Sequence, residues 1–546
     1  MTTYTYLGNA LELSGISYSD GTPNVTFSYD RNGRQKGVTD AAGTRTRTFN
    51  AVGATLNEQF TAGMLNGIQA SNGYDGLLRR QSLGATMNAT SLVSQTYGYD
   101  VYRRMGTIVS GAQAVTYGYY PTTGLLNTTS YTGGANLARV YDSFGRLQTI
   151  TTTPAAGGAI SYTYQYDSLN RRNKVTREDG SYWSYGYNDR GELVFGKKYF
   201  VDNTPVAGMQ FEYGYDNIGN RQATKAGGND LGTGLRNASY SANNLNQHTQ
   251  RTVPGAFDVL GVAATGANVT VNAQTTYRKS DYFQKEIAVN NAAGPVYQQV
   301  DVVGAKNNAG GAGEDAVATQ SGKVYVPQAT ETYAYDFDGN LTQDGRWVYT
   351  WDAENRLTSM TAIAAAPVTA KRKLDFAYDY MGRRVEKKVY DWNVGTSAYV
   401  LATTTRFVYD GWNLMAELDA TGLVKKNYLW GQGVGGGLLF IGDSGNVYQC
   451  GYDGNGNLTL LVKLATGGAA ANYDYDPMGS TLKQAIESGV NSNFGFSTKY
   501  IDAETSLIYF GYRYYNASSG KWINSDPSGE GGGVNLFEFN YNSPIN

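Results

Sequence analysis

The stretch YQYDSLNRR, residues 164–172, shows the pattern that decides the fold of this chain. Tyr164 and Tyr166 stand two positions apart, so in a β-strand both side chains point to the same face of the sheet. Asp167 comes next, and its carboxylate can accept hydrogen bonds from backbone N–H groups two residues further along. Asn170 tolerates the positive φ that closes a hairpin with a bulge. The stretch therefore predicts a strand that ends in a tight hairpin turn.

The same pattern recurs along most of the chain. Its copies contain Tyr29, Tyr74, Tyr99, Tyr141, Tyr166, Tyr187, Tyr215, Tyr335, Trp351, Tyr378, Tyr409, Tyr452 and Tyr475. In eight copies a glycine or asparagine follows three residues after the aspartate, and we expect a positive φ there. These residues are Gly33, Gly145, Asn170, Gly219, Gly339, Asn355, Gly382 and Gly456. No copy carries the apolar stripe of an α-helix. The chain is therefore predicted to be all-β, one continuous object built from hairpins and not several separate globules.

Seven copies carry an arginine four residues after the aspartate. The pairs are Asp30/Arg34, Asp75/Arg79, Asp100/Arg104, Asp142/Arg146, Asp167/Arg171, Asp352/Arg356 and Asp379/Arg383. Across a hairpin turn, this spacing can bring the guanidinium back onto the carboxylate. We therefore interpret the repeated aspartates as structural turn residues.

The composition agrees with this prediction. The 546 residues include 46 tyrosines and 69 glycines but 11 prolines, a mixture that suits strands and turns. Lys and Arg (44) balance Asp and Glu (46), which argues against a nucleic-acid partner, because such binders carry a basic surface. No apolar run approaches the ~20 residues of a membrane helix. The first residues show no signal peptide.

The chain contains one histidine and one cysteine, and this excludes several kinds of site. A single His248 cannot form a multi-histidine zinc site, and we interpret it as a solvated or hydrogen-bonded turn residue. A single Cys450 cannot form an internal disulfide and is interpreted as a small packing residue. We expect no metal ion and no cofactor.

One interval lacks the repeat and predicts an inserted domain. Residues 251–328 contain short alternating runs, which favour a small β domain over a long disordered excursion. The predicted division is a first repeat region (1–250), the insertion (251–328), a second repeat region (329–492) and a terminal segment (493–546). Within the insertion, residues 306–321 are predicted to be a loop. We expect this loop and residues 1–15 to exchange amide hydrogens fastest.

The repeats resemble the YD repeat of the rearrangement-hotspot (Rhs) family, which is shared with the BC component of insecticidal Tc toxins and with teneurins. The last stretch, FSTKYIDAETSLIYFGYRYYNASSGKWINSDPSGEGGGVNLFEFNYNSPIN (residues 496–546), resembles the Rhs-associated core. This resemblance implies a hollow cocoon: a β-sheet ribbon that spirals round a cavity, closed at one end by the core.

The resemblance also implies a function. The leading hypothesis is the shell of a secreted bacterial polymorphic toxin, with its own C-terminal toxin domain, absent from this chain, as cargo. Secretion-system or cell-surface components are further partners that it implies. The alternative hypothesis is a teneurin-like adhesion or ligand-binding module at the cell surface. A carbohydrate-active enzyme with paired carboxylates has little support, because the acidic residues stand in repeated turns.

Two candidate site residues lie in the terminal segment. Aspartyl self-cleavage needs two carboxylates with different pKa values, and Asp526 in SDPSG is the candidate for one of them; the alternative is a turn aspartate. The family pattern has arginine where this chain has Lys521, and glycine where it has Ser506, so a positive φ at Ser506 would be strained. In the family, cleavage follows a second Asp-Pro-x-Gly, which implies that Asn546 lies upstream of the scissile bond.

A glycine-rich stretch, GQGVGGG (residues 431–437), matches the G-x-G-x-x-G pattern of dinucleotide-binding sites. That fingerprint needs a helix directly after the glycines. The residues that follow read as strand and turns. We therefore reject a nucleotide site.

Overall fold

The computed structural model describes residues 1–8, 11–431, 437–487, 489–490 and 492–546, apart from the side chain of Ala312. Strands make up 56% of the structure and helix 3%. The predicted all-β fold, built from repeated antiparallel hairpins, is confirmed.

The first large sheet is an antiparallel meander in which each strand pairs with the next along the chain. Its last strand before the insertion, β22, pairs with β30 after it. The strands are β1 (Thr2–Tyr6), β2 (Leu13–Tyr18), β3 (Val25–Tyr29), β4 (Gln35–Asp40), β5 (Gly43–Phe49), β6 (Thr55–Phe60), β7 (Ile68–Tyr74), β8 (Arg80–Met87), β9 (Thr90–Tyr99), β10 (Met105–Ser110), β11 (Gln113–Tyr119), β12 (Leu126–Tyr131), β13 (Asn136–Tyr141), β14 (Leu147–Thr153), β15 (Ile160–Tyr166), β16 (Arg172–Arg177), β17 (Tyr182–Tyr187), β18 (Leu193–Tyr199), β19 (Pro205–Tyr215), β20 (Arg221–Gly227), β21 (Leu235–Ala242), β22 (His248–Thr252) and β30 (Thr330–Thr332).

Two small sheets lie between these last two strands. One contains β23 (Ala256–Val262), β26 (Tyr277–Lys279) and β27 (Tyr282–Ala288), and the other contains β24 (Asn268–Val271), β25 (Gln274–Thr275), β28 (Val296–Lys306) and β29 (Ala316–Val326). The prediction of a loop over residues 306–321 is wrong for the second half of this range. Residues from Ala316 onward form β29, because their backbone groups pair with β28 over its full length. The four-part division of the chain stays a prediction.

The second large sheet is another antiparallel meander, and the terminal segment forms a four-stranded sheet. The second large sheet contains β31 (Ala334–Tyr335), β32 (Leu341–Gln343), β33 (Trp347–Trp351), β34 (Leu357–Ala362), β35 (Arg372–Tyr378), β36 (Arg384–Asn393), β37 (Ala398–Asp410), β38 (Asn413–Leu418), β39 (Val424–Trp430), β40 (Leu438–Asp443), β41 (Asn446–Tyr452), β42 (Leu458–Lys463), β43 (Gly468–Tyr475) and β44 (Thr481–Ile486). The terminal sheet contains β45 (Tyr500–Ile501), β46 (Ile508–Tyr509), β47 (Tyr514–Asn516) and β48 (Lys521–Trp522). Short 3₁₀ turns are Gly311–Gly313, Val368–Ala370, Phe496–Thr498, Gly529–Gly532 and Asn540–Asn542.

The hairpin turns have the predicted local structure. Asp167 accepts hydrogen bonds from the N–H groups of Leu169 and Arg171, both at 2.9 Å. The strand register shifts at Tyr166, which is the expected bulge. Positive φ is confirmed at all eight predicted positions, including Asn170. All seven predicted arginine–aspartate pairs form as well.

Each of these seven arginines also lies over an aromatic ring of a following hairpin. The distances from the guanidinium carbon to the ring centre are 4.8 Å for Arg34 and Phe49, 4.1 Å for Arg79 and Tyr99, 4.1 Å for Arg104 and Tyr119, 4.5 Å for Arg146 and Tyr166, 4.5 Å for Arg171 and Tyr187, 5.6 Å for Arg356 and Tyr378, and 5.5 Å for Arg383 and Tyr409. The arginine therefore belongs to two hairpins, which the spacing pattern did not reveal.

The tyrosine hydroxyl of a repeat reaches back to the preceding repeat. Tyr166 donates to the carbonyl of Leu147, and Tyr187 donates to the carbonyl of Arg172, both at 2.6 Å. The same bond recurs for Tyr99, Tyr378 and Tyr475. Successive hairpins are thus joined by side chains as well as by their ladder hydrogen bonds.

Strands β38, β40 and β42 of the second large sheet are buried on both of their faces. In β40, Leu439 and Phe440 pack with residues of the first sheet, whereas Leu438 and Ile441 pack with the terminal segment. Such a strand reads as a continuous apolar run because neither face meets water. Gln449 adds a polar contact between the two large sheets, since its side-chain amide donates to the carbonyl of Ala135 at 3.0 Å.

None of the helical segments in the described ranges is long and apolar enough to cross a membrane.

Candidate functional site

The terminal core, residues 493–546, is built round a cluster of aromatic rings. Phe496, Tyr515, Trp522 and Phe539 are all buried. The rings of Tyr515 and Phe539 stack with their centres 4.0 Å apart. Stacking of this kind adds about 0.5–1.5 kcal/mol to the burial of the rings. The short strands β45 to β48 are therefore held by side-chain packing more than by their few ladder bonds.

A buried ion network fastens the terminal core to β36. Asp502 lies 2.6 Å from Nη1 of Arg384 and 3.0 Å from Nζ of Lys387, which also contacts Glu504 at 3.0 Å. Five aromatic rings surround the Arg384 guanidinium at 4.7–5.9 Å. Burial raises the pKa of Asp502, but the two cations outweigh it and hold that pKa below its ordinary value.

The residues RYY (513–515) in the middle of the core all make anchoring contacts. Arg513 lies 2.8 Å from Asp526 and stacks on Trp522 at 4.0 Å. The hydroxyl of Tyr514 shares a hydrogen bond of 2.8 Å with the Tyr378 hydroxyl. The hydroxyl of Tyr515 donates to a backbone carbonyl in the YD turn that follows Tyr475, also at 2.8 Å. This short motif therefore contacts the core and the second sheet together.

The core also runs over the YD turns of both large sheets. Its side chains donate to carbonyls in these turns: Thr498 to Gly456 (2.6 Å), Tyr509 to Gly382 (3.3 Å), Ser525 to Asp338 (3.2 Å), Asn535 to Ile218 (3.1 Å) and Asn542 to Gly219 (2.8 Å). Turns that are distant in sequence thus meet on one segment. The core holds the strand ends of both sheets together.

Asp526 lines a cavity of about 530 Å³ beside the end of the chain. Its carboxylate accepts hydrogen bonds from the N–H (2.9 Å) and hydroxyl (2.6 Å) of Ser528, and it pairs with Arg513. Partial burial raises the pKa of Asp526, but these partners outweigh it and lower the pKa below its ordinary value. Asp526 is therefore ionised at neutral pH.

Lys521 has a different location. It is buried, and its Nζ donates to Oδ1 of Asn220 at 2.7 Å and to the carbonyl of Asn246 at 3.1 Å. Burial lowers the pKa of Lys521 to about 7. The described lining of the cavity includes Asp526 but not Lys521. Through these two hydrogen bonds, Lys521 joins two YD turns of the first sheet.

Sequence reasoning missed Glu538, which lines the same cavity as Asp526. Its backbone forms an antiparallel bridge with Lys521, and its carboxylate accepts a hydrogen bond from Asn542 at 2.8 Å. Burial and the neighbouring Glu192 raise the pKa of Glu538 to about 7. The cavity thus holds two carboxyl groups with different pKa values. Glu538 stands outside the repeated turn motif and the Asp-Pro-Ser-Gly stretch, so no sequence signal marked it.

The remaining predicted residues have mixed outcomes. Ser506 adopts a positive φ of 61°, the conformation that is strained for a residue other than glycine. His248 is not a turn residue: it begins β22 and is buried between Tyr240 and Tyr333, and this burial lowers its pKa. Cys450 is fully buried, as the packing interpretation predicted, and burial raises its pKa.

Neither a metal site nor a nucleotide site gains support. Across the described ranges, no group of three or more His, Cys, Asp or Glu side chains is arranged to hold a metal ion. In the rejected nucleotide motif, residues 432–436 lie outside the described residues, and strand β40 follows directly after them.

Two family models match this chain: the Teneurin YD-shell over residues 317–544 and the RHS Repeat over residues 141–182. These matches confirm, over the residues that they cover, the resemblance to Rhs/YD-repeat proteins that the sequence predicts. Among curated proteins, this YD-repeat chain is similar to the tRNA3(Ser)-specific nuclease WapA of Bacillus spizizenii, with 31% identity over 222 residues, 39% of this chain and 9% of the relative.

A second relative is the toxin subunit YenC1 of Yersinia entomophaga, with 36% identity over 83 residues, 15% of this chain and 8% of the relative. The YD-repeat chain therefore spans less than a tenth of the length of either relative within the matched regions. Among solved structures, TcdB2-TccC3 without its hypervariable C-terminal region is similar over 98% of this chain and 27% of that one, at 15% identity and a TM-score of 0.44.

The ion network of the terminal core yields a stability prediction. Asp502→Asn leaves the buried Arg384 without its charged partner, so we expect a loss of about 3–5 kcal/mol in the free energy of unfolding, measured by urea denaturation. Because the folded pKa of Asp502 is depressed, the stabilisation is complete above about pH 4 and is lost as the pH falls through the folded pKa.

The matched control is Asp391→Asn, which removes a pair with Arg372 in which both side chains are about half exposed. We expect this change to cost less than about 0.5 kcal/mol. Equal effects of the two substitutions would show that the network does not anchor the core.

Proposed function

We propose that this chain is the encapsulating shell of a secreted bacterial Rhs/YD toxin, with a C-terminal effector domain as its cargo. The observation that carries the proposal is the position of the last residues. Oδ1 of Asn546 accepts a hydrogen bond from the N–H of Arg172 at 2.8 Å, and the carbonyl of Ile545 accepts one from the Arg172 guanidinium at 3.1 Å. A domain that followed Asn546 would begin at a fixed point of the shell.

The names of two relatives support a toxin shell. WapA is named as a tRNA nuclease and YenC1 as a toxin subunit. A shell around such an effector would act in the secreted or cell-surface compartment, with secretion-system or surface components as further partners. A teneurin-like adhesion module is the second candidate, and the match of residues 317–544 to the Teneurin YD-shell favours it.

A protease-protection experiment tests enclosure. The full gene product that contains this chain is treated with trypsin, and the survival of any segment after Asn546 is followed by gel. We expect that segment to survive at least about tenfold longer than the same segment produced alone, because a shell excludes the protease. Equal survival would overturn the encapsulation proposal and favour the adhesion module.

We also propose that the cavity beside Asn546 carries out self-cleavage. Asp526, ionised, takes a proton from a water molecule, which attacks the scissile carbonyl. Glu538, protonated, gives its proton to the leaving amine. This proposal rests on the presence of both carboxyl groups in one cavity and on their different pKa values.

Cleavage of the full gene product, followed by mass spectrometry, tests this mechanism. We expect Asp526→Asn to abolish cleavage, because an amide cannot take the proton. The rate should fall as the pH rises through about 7, since Glu538 then loses its proton. If Lys521 weakly replaces the family's arginine, Lys521→Arg accelerates the reaction. A gene product that stays intact for days, with lysine or arginine at that position, would show that the shell is only a container.

A further inference from the structure

One copy of the YD repeat has a carboxylate where seven copies have arginine. In YGYNDRGEL (residues 185–193), Asn188 stands in the place of the aspartate, and Glu192 follows four residues later. The turn keeps its usual backbone hydrogen bonds, because the side-chain oxygen of Asn188 accepts from the N–H groups of Arg190 (3.1 Å) and Glu192 (3.0 Å). The Glu192 carboxyl takes no part in these backbone hydrogen bonds.

This carboxyl is buried where the first sheet meets the terminal core. Its Oε2 accepts hydrogen bonds from Nδ2 of Asn188 at 2.6 Å and from Nε of Arg190 at 2.9 Å. Its Oε1 accepts a hydrogen bond from Nδ2 of Asn542, in the terminal core, at 3.2 Å. One oxygen of Glu192 is thus held by its own turn, and the other contacts the core.

The Asn542 amide lies against three oxygen atoms at once. Besides Glu192, its Nδ2 contacts Oε1 of Glu538 and the carbonyl of Gly219, both at 2.8 Å. An amide NH2 group has two hydrogens, so it cannot serve three acceptors together. A proton on one of the two carboxyl groups removes this shortage. It also removes the repulsion between two negative charges that share one nitrogen.

The contacts of the two carboxyl groups decide which of them carries the proton. Glu192 forms an ion pair with Arg190, and an adjacent cation favours the ionised form. In the part of the chain that the structure describes, Glu538 has Asn542 as its one side-chain hydrogen-bond partner and forms no ion pair. The proton therefore belongs to Glu538.

The charged groups round Glu538 lead to the same assignment. Burial has the largest effect on the pKa of Glu538 and raises it, and the ionised Glu192 raises it further. Lys521 in β48 and Arg190 lower this pKa, whereas Asp216 in the turn after β19 raises it. The result is a pKa of about 7, so Glu538 keeps its proton in mildly acidic solution.

We propose that Glu192 is a positioning residue for self-cleavage: together with Asn542 it keeps the Glu538 carboxyl protonated and so sets the pH range in which Glu538 acts as the acid. This inference rests on the self-cleavage proposed above. Glu192 belongs to the first sheet, whereas Glu538 and Asn542 belong to the terminal core. The acid therefore forms when the core packs on the turn 188–192, and this couples cleavage to the assembly of the fold.

The pH dependence of cleavage tests this role in the full gene product. In Glu192→Gln the negative charge is lost, and the new amide can donate a hydrogen bond to Glu538, so the ionised form of Glu538 becomes favoured. We expect the falling limb of the rate profile to move at least about one pH unit lower. The rate then falls about tenfold at pH 8 and stays close to that of the unchanged protein at about pH 5. An equal loss at every pH would show a merely structural role and overturn the proposal.

An infrared titration of this chain gives a second readout that needs no cleavage. The carboxyl band of Glu538 is identified by its loss in Glu538→Gln. We expect its titration midpoint at about pH 7 in the unchanged chain and at least about one pH unit lower in Glu192→Gln. Glu192→Asp keeps the charge and should restore most of the shift. The control is Asp189→Asn, an exposed carboxylate of the same turn, which should change neither the midpoint nor the cleavage profile.

The outcomes separate this inference from the proposed function. If cleavage requires Glu538 but keeps its pH profile in Glu192→Gln, the cleavage mechanism stands and the role of Glu192 is overturned. If Glu538→Gln cleaves normally, the mechanism itself fails, and the infrared midpoint still decides whether Glu192 holds the proton on Glu538. An unchanged midpoint in Glu192→Gln would overturn the inference in either case.

Discussion

The arginine of each complete YD repeat is shared by two hairpins, and the rest of the structure depends on this link. Arg171 pairs with Asp167 in its own turn at 2.7 Å, and its guanidinium lies over the ring of Tyr187 in the next repeat. The hydroxyl of Tyr187 in turn donates a hydrogen bond to the carbonyl of Arg172, the residue after Arg171. A planar guanidinium suits both roles, because its N–H fork pairs with a carboxylate while its face lies over a ring. A turn signal that is local in sequence thereby becomes a contact between repeats.

The sheets built this way pack on each other in layers. The first sheet covers one face of the second sheet, and the terminal core covers the other. The core also receives the turns of both sheets, and Arg384 with Asp502 fixes its position. These contacts place the end of the chain beside the Asp526 cavity. The position of this cavity therefore depends on how the two large sheets and the terminal core pack together.

The all-β fold, the turn conformations and the seven ion pairs were predictable because each depends on residues a few positions apart. The stacking of Arg171 on Tyr187 was not, since it joins separate repeats. Glu538 and His248 acquire their properties from burial among residues distant in sequence. The loop predicted over residues 306–321 includes the first half of β29, because most residues of this stretch are small or polar. Its strand state comes from the partner β28, which no local pattern reveals.

A double-mutant cycle on Arg171 and Tyr187 tests the link between repeats most directly. Unfolding free energies are measured for Arg171→Ala, Tyr187→Leu and the double variant, with Arg171 and Tyr409 as the control pair. The shared-arginine account predicts a coupling of about 0.5–2 kcal/mol for Arg171 with Tyr187 and none for the control. A coupling below about 0.3 kcal/mol for Arg171 with Tyr187 would contradict it.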